Sequence, residues 1–244
     1  MPDQTGPNPT AAMLVIGDEI LSGRTRDANM HYLAGQLTEA GIDLKEVRIV
    51  SDDHDGIVEA LNGLRGTWDT VFTSGGIGPT HDDITADAVA AAFAVNVDVR
   101  DDARTLLAAH YAKTGSKLNA ARLRMARIPD GATLIDNPVS VAPGFTIGNV
   151  HVMAGVPKVF QAMVATVLPT LTGGAPLLST STRIDRGEGD IAEPLGALAK
   201  EYTDLSVGSY PFQKDGKFGT NIVIRGQDRT RLDMATAKLA TLFE

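Results

Sequence analysis

A glycine-rich turn between a strand and a helix most constrains how this chain can fold. The run TSGGIGPTHDDIT spans Thr73 to Thr85. Asp69 to Thr73 is short, β-branched and aromatic, which predicts a strand, and Ile84 to Phe93 repeats apolar residues at helical spacing. This order of strand, turn and helix is typical of parallel α/β sheets, which bind ligands at the carboxyl ends of their strands.

The turn also has the composition of a phosphate-binding loop. Gly75, Gly76 and Gly78 carry no Cβ, so their backbone amides can approach an anion closely, and the next helix offers unpaired N–H groups and the positive end of its dipole. Asp82 and Asp83 would repel a phosphate unless a divalent cation or a proton intervenes, so the run indicates metal-assisted phosphate chemistry. Alternatively, the glycines make only a tight turn and the aspartates charge the helix start.

Composition removes several classes of function. The 244 residues are 43% hydrophobic and 21% charged, as in an ordinary globular protein. A net charge of −8 argues against nucleic acid and anionic membranes as partners, because both usually need a basic face. The chain has no cysteine, which excludes disulfides, thiolate nucleophiles and zinc–thiolate sites.

The first residues indicate where the protein works. The start MPDQTGPNPT lacks the basic region and apolar core of a signal peptide, and no later stretch is apolar for long enough to span a bilayer. We therefore expect a cytoplasmic protein whose residues 1–11 form a disordered lead.

Strand and helix patterns alternate after this lead. The successive segments are a strand from Ala12 to Ile16, a helix through Tyr32 to Ala40, a strand from Leu44 to Val50, a helix that ends near Leu64, and the strand before the glycine turn. Short links between such segments predict an α/β domain with a mainly parallel, helix-covered sheet.

The pattern continues beyond the motif helix. Helices are predicted over Asp101 to Lys113 and Leu118 to Arg127, strands over Thr133 to Ile135, Phe145 to Ile147 and Val150 to Met153, and a last helix from Pro157. Arg122, Arg124 and Arg127 cannot all share one helical face. A solvated basic flank and an anion site are both open interpretations of these arginines.

A second, smaller module follows a linker. Thr172 to Pro176 contains two glycines and a proline, through which a helix could not easily continue, so we place a domain boundary there. Residues 176–244 then predict the order strand, helix, strand, strand, helix. This is a small α+β domain, too short to bury a large core by itself.

Several separated motifs resemble one known family. They are IGDEILSG (Ile16 to Gly23), the helix start at Asp27 to Asn29, VSDD (Val50 to Asp53), the glycine-rich run, IPDGA (Ile128 to Ala132), NPVSVAPGF (Asn137 to Phe145) and AGVP (Ala154 to Pro157). Their order is similar to that in the molybdopterin-binding superfamily, and specifically in the N-terminal domain of the CinA family, with MoaB and Mog proteins as more distant relatives. The motifs cover about the first seventy per cent of the chain.

The resemblance implies a three-layer, MoaB/Mog-like domain over residues 12–172. The module at 176–244 resembles the KH-like subdomain of CinA proteins. It lacks an obvious Gly-x-x-Gly loop with basic flanks, so we expect a role in an interface or scaffold rather than RNA binding. The amidohydrolase domain of longer CinA proteins is not in this sequence, and deamidation of nicotinamide mononucleotide is therefore not expected.

The resemblance also assigns site residues. In MoaB and Mog relatives the glycine loop holds a pterin or nucleotide phosphate, and aspartates stand at the positions of Asp52 and Asp83. These two are the expected catalytic residues, and with Asp82 they are the expected metal ligands. Asp82 stands where Mog-like sequences have arginine, which argues against a molybdopterin adenylyltransferase. The expected ligand- or phosphate-binding residues are Gly17, Asp18, Glu19, Ser22, Asn29, Ser74, Gly75, Gly76, Gly78, Pro79, Thr80, His81, Gly155 and Pro157.

Five of these residues, and also Lys158 beside Pro157, have structural alternatives. His81 stands where CinA relatives more often have lysine, and it is either a ligand contact or a surface side chain. Asp18 and Glu19 follow the first strand, where ligand contact is favoured over a solvated turn. Ser22 and Asn29 either bind the ligand or cap a helix. Lys158 is either a phosphate contact or an ordinary surface lysine.

Three functions agree with these residues. The first, implied by the CinA resemblance, is hydrolysis of the phosphoanhydride in an ADP-containing small molecule such as ADP-ribose, with Mg²⁺, Mn²⁺ or Co²⁺ as cofactor. The second is binding of molybdopterin without hydrolysis, and the third is a non-enzymatic regulatory role. The related proteins form dimers or trimers, so we also expect a homo-oligomer.

Overall fold

The computed structural model describes residues 7–214 and 216–243. These residues divide into a first unit that ends at Gly174 and a second unit that begins at Ala175. Each unit buries its own apolar residues. Within the described ranges, every helix is too short or too polar to cross a bilayer.

The first unit alternates strands and helices along the chain. Its strands are β1 (Thr10–Ile16), β2 (Asp43–Val50), β3 (Thr70–Ser74), β4 (Val97–Val99), β5 (Arg127–Pro129), β6 (Thr133–Ile135), β7 (Gly144–Ile147) and β8 (Val150–Met153). Its α-helices are α1 (Asp18–Leu21), α2 (Asn29–Glu39), α3 (His54–Arg65), α4 (Thr85–Phe93), α5 (Asp101–Thr114), α6 (Ala120–Leu123) and α7 (Pro157–Val167). Single 3₁₀ turns occupy Arg124–Ala126 and Leu168–Thr170.

The central sheet is mixed and mostly parallel. Six strands lie in the order β2-β1-β3-β8-β7-β6. The four strands β2, β1, β3 and β8 pair in parallel, and β7 and β6 are added antiparallel at one edge. The α/β fold class and the mainly parallel sheet that the sequence predicts are confirmed.

Alternate residues of β1 point into two separate cores. Leu14 and Ile16 pack on one face of the sheet, in the same core as Leu61 of α3. Met13 packs on the opposite face, together with Phe160 of α7. A strand that is apolar at every position is what a sheet covered by helices on both faces requires, and the domain therefore has three layers.

β1 begins earlier than the sequence pattern predicts. Thr10 and Ala11, which we assigned to a disordered lead, belong to the strand, and Thr10 pairs with Asp43 of β2. The Thr10 backbone N–H and hydroxyl both donate to the Asp69 carboxylate, which fixes this end of the strand. Residues 1–6 of the expected lead lie outside the described residues.

The predicted helix from Leu118 to Arg127 is wrong. The helix α6 ends at Leu123, a 3₁₀ turn follows, and β5 begins at Arg127 and pairs antiparallel with β4. Pro129 explains the change, because a residue before proline is pushed out of the helical region and Ile128 must be extended. The short strand β4 was not predicted.

The second unit has the predicted order of elements. It consists of β9 (Leu178–Ile184), α8 (Glu188–Glu201), β10 (Ser206–Lys214), β11 (Lys217–Gly226) and α9 (Arg229–Phe243). The three strands form an antiparallel sheet in the order β10-β11-β9. Ile191, Ile222 and Leu232 from three of these elements meet in its core.

Candidate functional site

A cleft of about 520 Å³ opens where the central parallel strands end. It is lined by Gly17 after β1, Asp52 after β2, Gly75 after β3 and Gly155 after β8. These strands are neighbours in the sheet, so their carboxyl ends meet at one edge. The volume lies within the range of roughly 300–1,000 Å³ that is usual for small-molecule sites.

The loop after β3 can be made only with glycine. Gly75 and Gly76 have φ angles of 113° and 67°. A Cβ at Gly75 would lie 2.1 Å from the carbonyl oxygen of Ile16, and one at Gly76 would lie 2.1 Å from Oγ1 of Thr85. Thr85, the first residue of α4, holds the loop by donating its N–H to the Gly76 carbonyl and its hydroxyl to the Gly75 carbonyl, both at 3.0 Å.

The same loop presents backbone donors to the cleft. Within the described part of the chain, the N–H groups of Gly76, Ile77 and Gly78 donate to no protein acceptor, and all three residues line the cleft. Successive unpaired N–H groups form a concave anion-binding surface. Such a surface is suited to a phosphate or a similar anion.

Asp83 shapes this loop. Its Oδ2 accepts hydrogen bonds from the Thr80 N–H at 2.8 Å and from the Thr80 hydroxyl at 2.5 Å. The carboxylate also lies over Gly78, where a Cβ would be 2.6 Å from Oδ2. Arg124 donates from Nη2 to the Asp83 carbonyl oxygen at 3.1 Å and secures the far end of the loop. One oxygen of this carboxylate is thus already committed to the loop.

Asp52 lies in a crowded acidic environment. Its Oδ2 accepts the Asp18 N–H at 3.0 Å. Partial burial raises the pKa of Asp52, and the negative charges of Asp18, Glu19 and Asp82 raise it further, against the hydrogen bond from Asp18. Negative charge is therefore concentrated around Asp52, and a positive charge on a ligand or a bound cation would stabilise these carboxylates.

The predicted metal ligands do not form a ready-made centre. In the described ranges, no three His, Asp or Glu side chains are grouped so that they could hold a metal ion. Asp52, Asp82 and Asp83 all line the cleft. Carboxylates are suitable donors for Mg²⁺, which usually takes only one or two of them together with substrate phosphate oxygens and water. These residues therefore fit a cation that is held partly by one or two carboxylates and partly by the phosphate oxygens of a bound diphosphate.

Most of the predicted ligand residues meet in this cleft. Its lining includes Gly17, Glu19, Gly75, Gly76, Gly78, Pro79, Gly155 and Pro157. Asn29 and Ser74 lie instead in a smaller cavity of about 50 Å³, which shares Glu19, Gly155 and Pro157 with the cleft.

Four predicted residues line neither cavity: Asp18, Ser22, Thr80 and His81. Asp18 accepts the Ser51 hydroxyl at 2.5 Å, and Thr80 holds Asp83. The His81 side chain is 99% exposed and lies 3.9 Å from Asp82, so the structure favours its surface interpretation. Lys158 is also exposed.

Asn29 joins two strand ends below the cleft. Its Nδ2 donates to the Ser74 hydroxyl and to the Gly155 carbonyl oxygen, both at 2.7 Å. The residue is only 3% exposed, and its Oδ1 has no partner in the described part of the chain. Asn29 thus fixes the spacing between the ends of β3 and β8.

The three arginines of the 122–127 region have separate roles. Arg127 makes a bidentate pair with the Asp87 carboxylate at 2.5 and 2.6 Å. Arg122 donates to the Lys117 carbonyl and covers the ring of Tyr111. Only Arg124 reaches the glycine loop, which the sequence pattern alone did not indicate.

Sequence reasoning missed one side of the cleft. The unassigned lining residues are Ile16, Thr25, Ile77, Met125, Asn137, Ser140, Ala142, Ala154, Val156 and Val159. The motifs NPVSVAPGF and AGVP contain five of them, and those motifs carried part of the family resemblance. Their proximity to the glycine loop depends on the sheet order, which places β8 directly beside β3.

Comparison with known families agrees with this architecture. Residues 12–173 match the family described as a probable molybdopterin binding domain. The chain belongs to this family. Residues 176–244 match the middle domain of FAD synthase. The KH-like character that we expected of this second unit stays a prediction.

Individual relatives agree with both parts of this result. The chain is 32% identical to a protein named probable FAD synthase from Caenorhabditis elegans, over 96% of this chain and 50% of that protein. It is 38% identical to a CinA-like protein from Citrifermentans bemidjiense, over 66% of this chain and 40% of that protein. The chain therefore spans about half the length, or less, of these two relatives.

One solved structure shows the fold of the first unit directly. It is the protein CinA, described as having unknown function, from Thermoplasma acidophilum. The match has a TM-score of 0.62 and 32% identity, and covers 68% of this chain and 99% of that one. The predicted resemblance to the CinA N-terminal domain is confirmed.

Proposed function

We propose that this protein hydrolyses the phosphoanhydride bond of an ADP-containing small molecule. The observation that carries the proposal is the placement of Asp52 in the same cleft as the unpaired N–H groups of the glycine loop. One part of the cleft is suited to hold a phosphate, and the other carries a carboxylate that can take a proton from water.

The relatives indicate which compounds to test. FAD contains an ADP group whose phosphoanhydride links AMP to FMN, and a protein named probable FAD synthase matches nearly the whole chain. ADP-ribose has the same ADP half and is the substrate that the CinA resemblance implied. FAD and ADP-ribose are therefore the first two candidates.

The reaction assigns a separate role to each group. The N–H groups of the loop hold one phosphate and stabilise the negative charge that develops on its oxygens. A water oxygen attacks a phosphorus atom of the diphosphate and the bridging P–O bond breaks. The two products are AMP and the phosphorylated other half, which is ribose 5-phosphate from ADP-ribose and FMN from FAD. The Asp52 carboxylate accepts the proton that the water loses. Asp83 keeps the loop in shape through Thr80.

A divalent cation fits this reaction if the protein carboxylates and the substrate phosphates bind it together. Asp82 and Oδ1 of Asp83, which accepts no hydrogen bond in the described residues, would hold it together with the substrate phosphates, and Asp52 stays available as the base. When bound, such a cation would offset the charge of the diphosphate and activate the water. This assignment narrows the three expected metal ligands to two first candidates.

Binding of a pterin phosphate without hydrolysis is the second candidate. The family match to a probable molybdopterin binding domain supports it, and the glycine loop would hold that phosphate in the same way. It differs from the first proposal because it requires no base, and Asp52 would then have no role in the bound state.

AMP release separates the two candidates. The wild-type protein is incubated with ADP-ribose, FAD and NADH, each with Mg²⁺, Mn²⁺ or Co²⁺ and each with a chelator. We expect AMP from at least one substrate, only when a cation is present. No AMP from any combination, together with binding of a pterin phosphate, would replace hydrolysis by the second candidate.

A further inference from the structure

The lining of the cleft has negative side chains but no positive one. Among the described residues that line it, Glu19, Asp52, Asp82 and Asp83 are carboxylates, and none is a lysine, arginine or histidine. A phosphate in this cleft is repelled by these like charges, and the backbone N–H groups of the glycine loop carry only partial positive charges. A full positive charge close to the loop would therefore strengthen phosphate binding.

Two arginines lie behind the glycine loop. A second, much smaller cavity of about 10 Å³ is lined by Arg124 and Arg127, and it shares Gly76, Ile77 and Gly78 with the cleft. The same three loop residues therefore border the cleft on one side and the cavity of the arginines on the other. A phosphate on the loop is separated from these arginines by a single layer of chain.

Of these two arginines, only Arg127 has a carboxylate partner in the described part of the chain. Arg127 forms its bidentate pair with Asp87. Arg124 donates from Nη2 to a main-chain oxygen, the Asp83 carbonyl, and its Nε is buried with no hydrogen-bond partner among the described residues. A partly buried guanidinium that no carboxylate balances costs free energy, because its desolvation is not offset. A bound anion would supply the missing negative charge.

Arg124 can attract a phosphate without touching it. Coulomb attraction between two charges falls only with the first power of their distance, and salt screens it less where water is excluded. The contact with the Asp83 carbonyl holds the guanidinium behind the loop, so its charge stays close to the N–H groups that line the cleft. The loop supplies the direct hydrogen bonds, and Arg124 supplies the full charge.

We propose that Arg124 is the positioning residue whose charge holds a phosphate on the glycine loop, and that the loop and Arg124 together bind a phosphate monoester without a divalent cation. This inference rests on the phosphate position of the proposed function. It separates binding from chemistry: the first phosphate is held by this chain alone, and the cation is required for the cleavage step.

Calorimetry with a chelator present tests this role. AMP and adenosine are the probes, because they differ only by the phosphate. Arg124→Lys keeps the positive charge, whereas Arg124→Gln keeps an N–H donor for the Asp83 carbonyl and removes the charge. Arg122→Gln is the matched control. It removes the same charge two residues away, from a side chain that lies on the Tyr111 ring and lines neither cavity.

We expect the wild type to bind AMP at least about tenfold more tightly than adenosine in chelator. Arg124→Gln should lose most of this difference and bind adenosine as the wild type does. Arg124→Lys should keep most of the affinity for AMP, and Arg122→Gln should follow the wild type with both probes. Thermal unfolding checks that each variant is folded, and Arg124→Met, which also lacks the charge, replaces Arg124→Gln if the latter does not fold.

Equal AMP affinities of Arg124→Lys and the uncharged variant would overturn the proposal, because Arg124 would then act only as a hydrogen-bond donor to the loop. Equal binding of AMP and adenosine by the wild type would overturn it together with the phosphate position. Neither result depends on turnover. Absence of AMP release while the variants rank as expected would overturn only the proposed hydrolysis.

Discussion

Asn29 makes both of its donor contacts to the ends of strands that border the site. Replacing it with Ala would leave the Ser74 hydroxyl and the Gly155 carbonyl unpaired beneath the cleft. We expect Asn29→Ala to lower the free energy of unfolding by about 2–3 kcal/mol, as for other buried polar groups that lose a partner. Urea denaturation measures this.

Asn96→Ala is the control for that experiment. Its amide makes a single exposed contact of 3.4 Å to Asp130, so its removal should cost less than about 0.5 kcal/mol. Equal losses in the two variants would mean that Asn29 does not fix the spacing of β3 and β8.

His151 predicts how stability depends on pH. It is 6% exposed, and burial lowers its pKa from 6.5 to about 4. The unfolded chain therefore binds a proton that the folded chain rejects, and stability falls as pH drops from about 6.5 towards 4. Between pH 6.5 and 5 this group alone should cost about 2 kcal/mol.

The test compares His151→Gln with His31→Gln, since His31 is exposed. Unfolding free energies at pH 6.5 and 5 should differ less in His151→Gln than in the wild type, and His31→Gln should follow the wild type. If the unfolding free energy of His151→Gln changed between pH 6.5 and 5 as much as that of the wild type, His151 would take up its proton in the folded state as readily as in the unfolded chain.

Asp52 illustrates a conflict between stability and function. Burial and the neighbouring carboxylates make its charge unfavourable in the folded protein. Asp52→Asn keeps an oxygen for the Asp18 N–H and removes this charge, so we expect the melting temperature at pH 7, in chelator, to rise. A fall in melting temperature would contradict the crowding that we describe.

At the scale of elements, the loop between β6 and β7 stores strain at Val141, whose φ is 67°. Glycine adopts the same positive φ freely, so Val141→Gly relieves a strain of about 1–3 kcal/mol while adding about 1 kcal/mol of unfolded-state entropy. Val139→Gly in the same loop has only the entropic cost. Val141→Gly should therefore be the more stable variant by about 1–2 kcal/mol in thermal unfolding, and the reverse order would rule out the strain.

Sequence patterns predicted a strand or helix best where one regular spacing of apolar residues continued along the whole element. The apolar run before Gly17 and the helical spacing after the glycine turn gave β1 and α4 within a few residues. The helix prediction for the segment from Leu118 to Arg127 failed because β5 forms by pairing with β4, which lies almost thirty residues earlier. A strand of three residues is too short to show an alternation of apolar and polar residues, so the helical spacing around it decided the prediction.

At the scale of the whole molecule, the sequence predicted which edge of the sheet holds the cleft. Glycines and carboxylates after β1, β2 and β3 had to converge, because parallel strands end at a common edge. It did not predict that Asp18 and His81 lie off the cleft, since this depends on the direction of each side chain in its turn. The lining residues from Asn137 to Ala142 and from Ala154 to Val159 were missed because their place at the cleft requires β8 to lie beside β3.

The subunit number stays a prediction of the family resemblance. Val47 and Ile49 expose 36% and 44% of their surface on the edge strand β2, and Leu21 of the neighbouring α1 is 55% exposed. Exposed apolar residues at a sheet edge are compatible with self-association. Light scattering of the full chain would give the number of subunits.

The most direct test of hydrolysis at this cleft is AMP release by Asp52→Asn and Asp55→Asn, with the substrate and cation that give the wild type its highest turnover. Both variants lose one negative charge next to the same strand, but only Asp52 lines the cleft, and the Asp55 side chain is 97% exposed. We expect Asp52→Asn to lose at least about a hundredfold in turnover, as for a general base, while Asp55→Asn retains wild-type turnover. Wild-type turnover by Asp52→Asn would contradict the assignment of this cleft as a hydrolytic site.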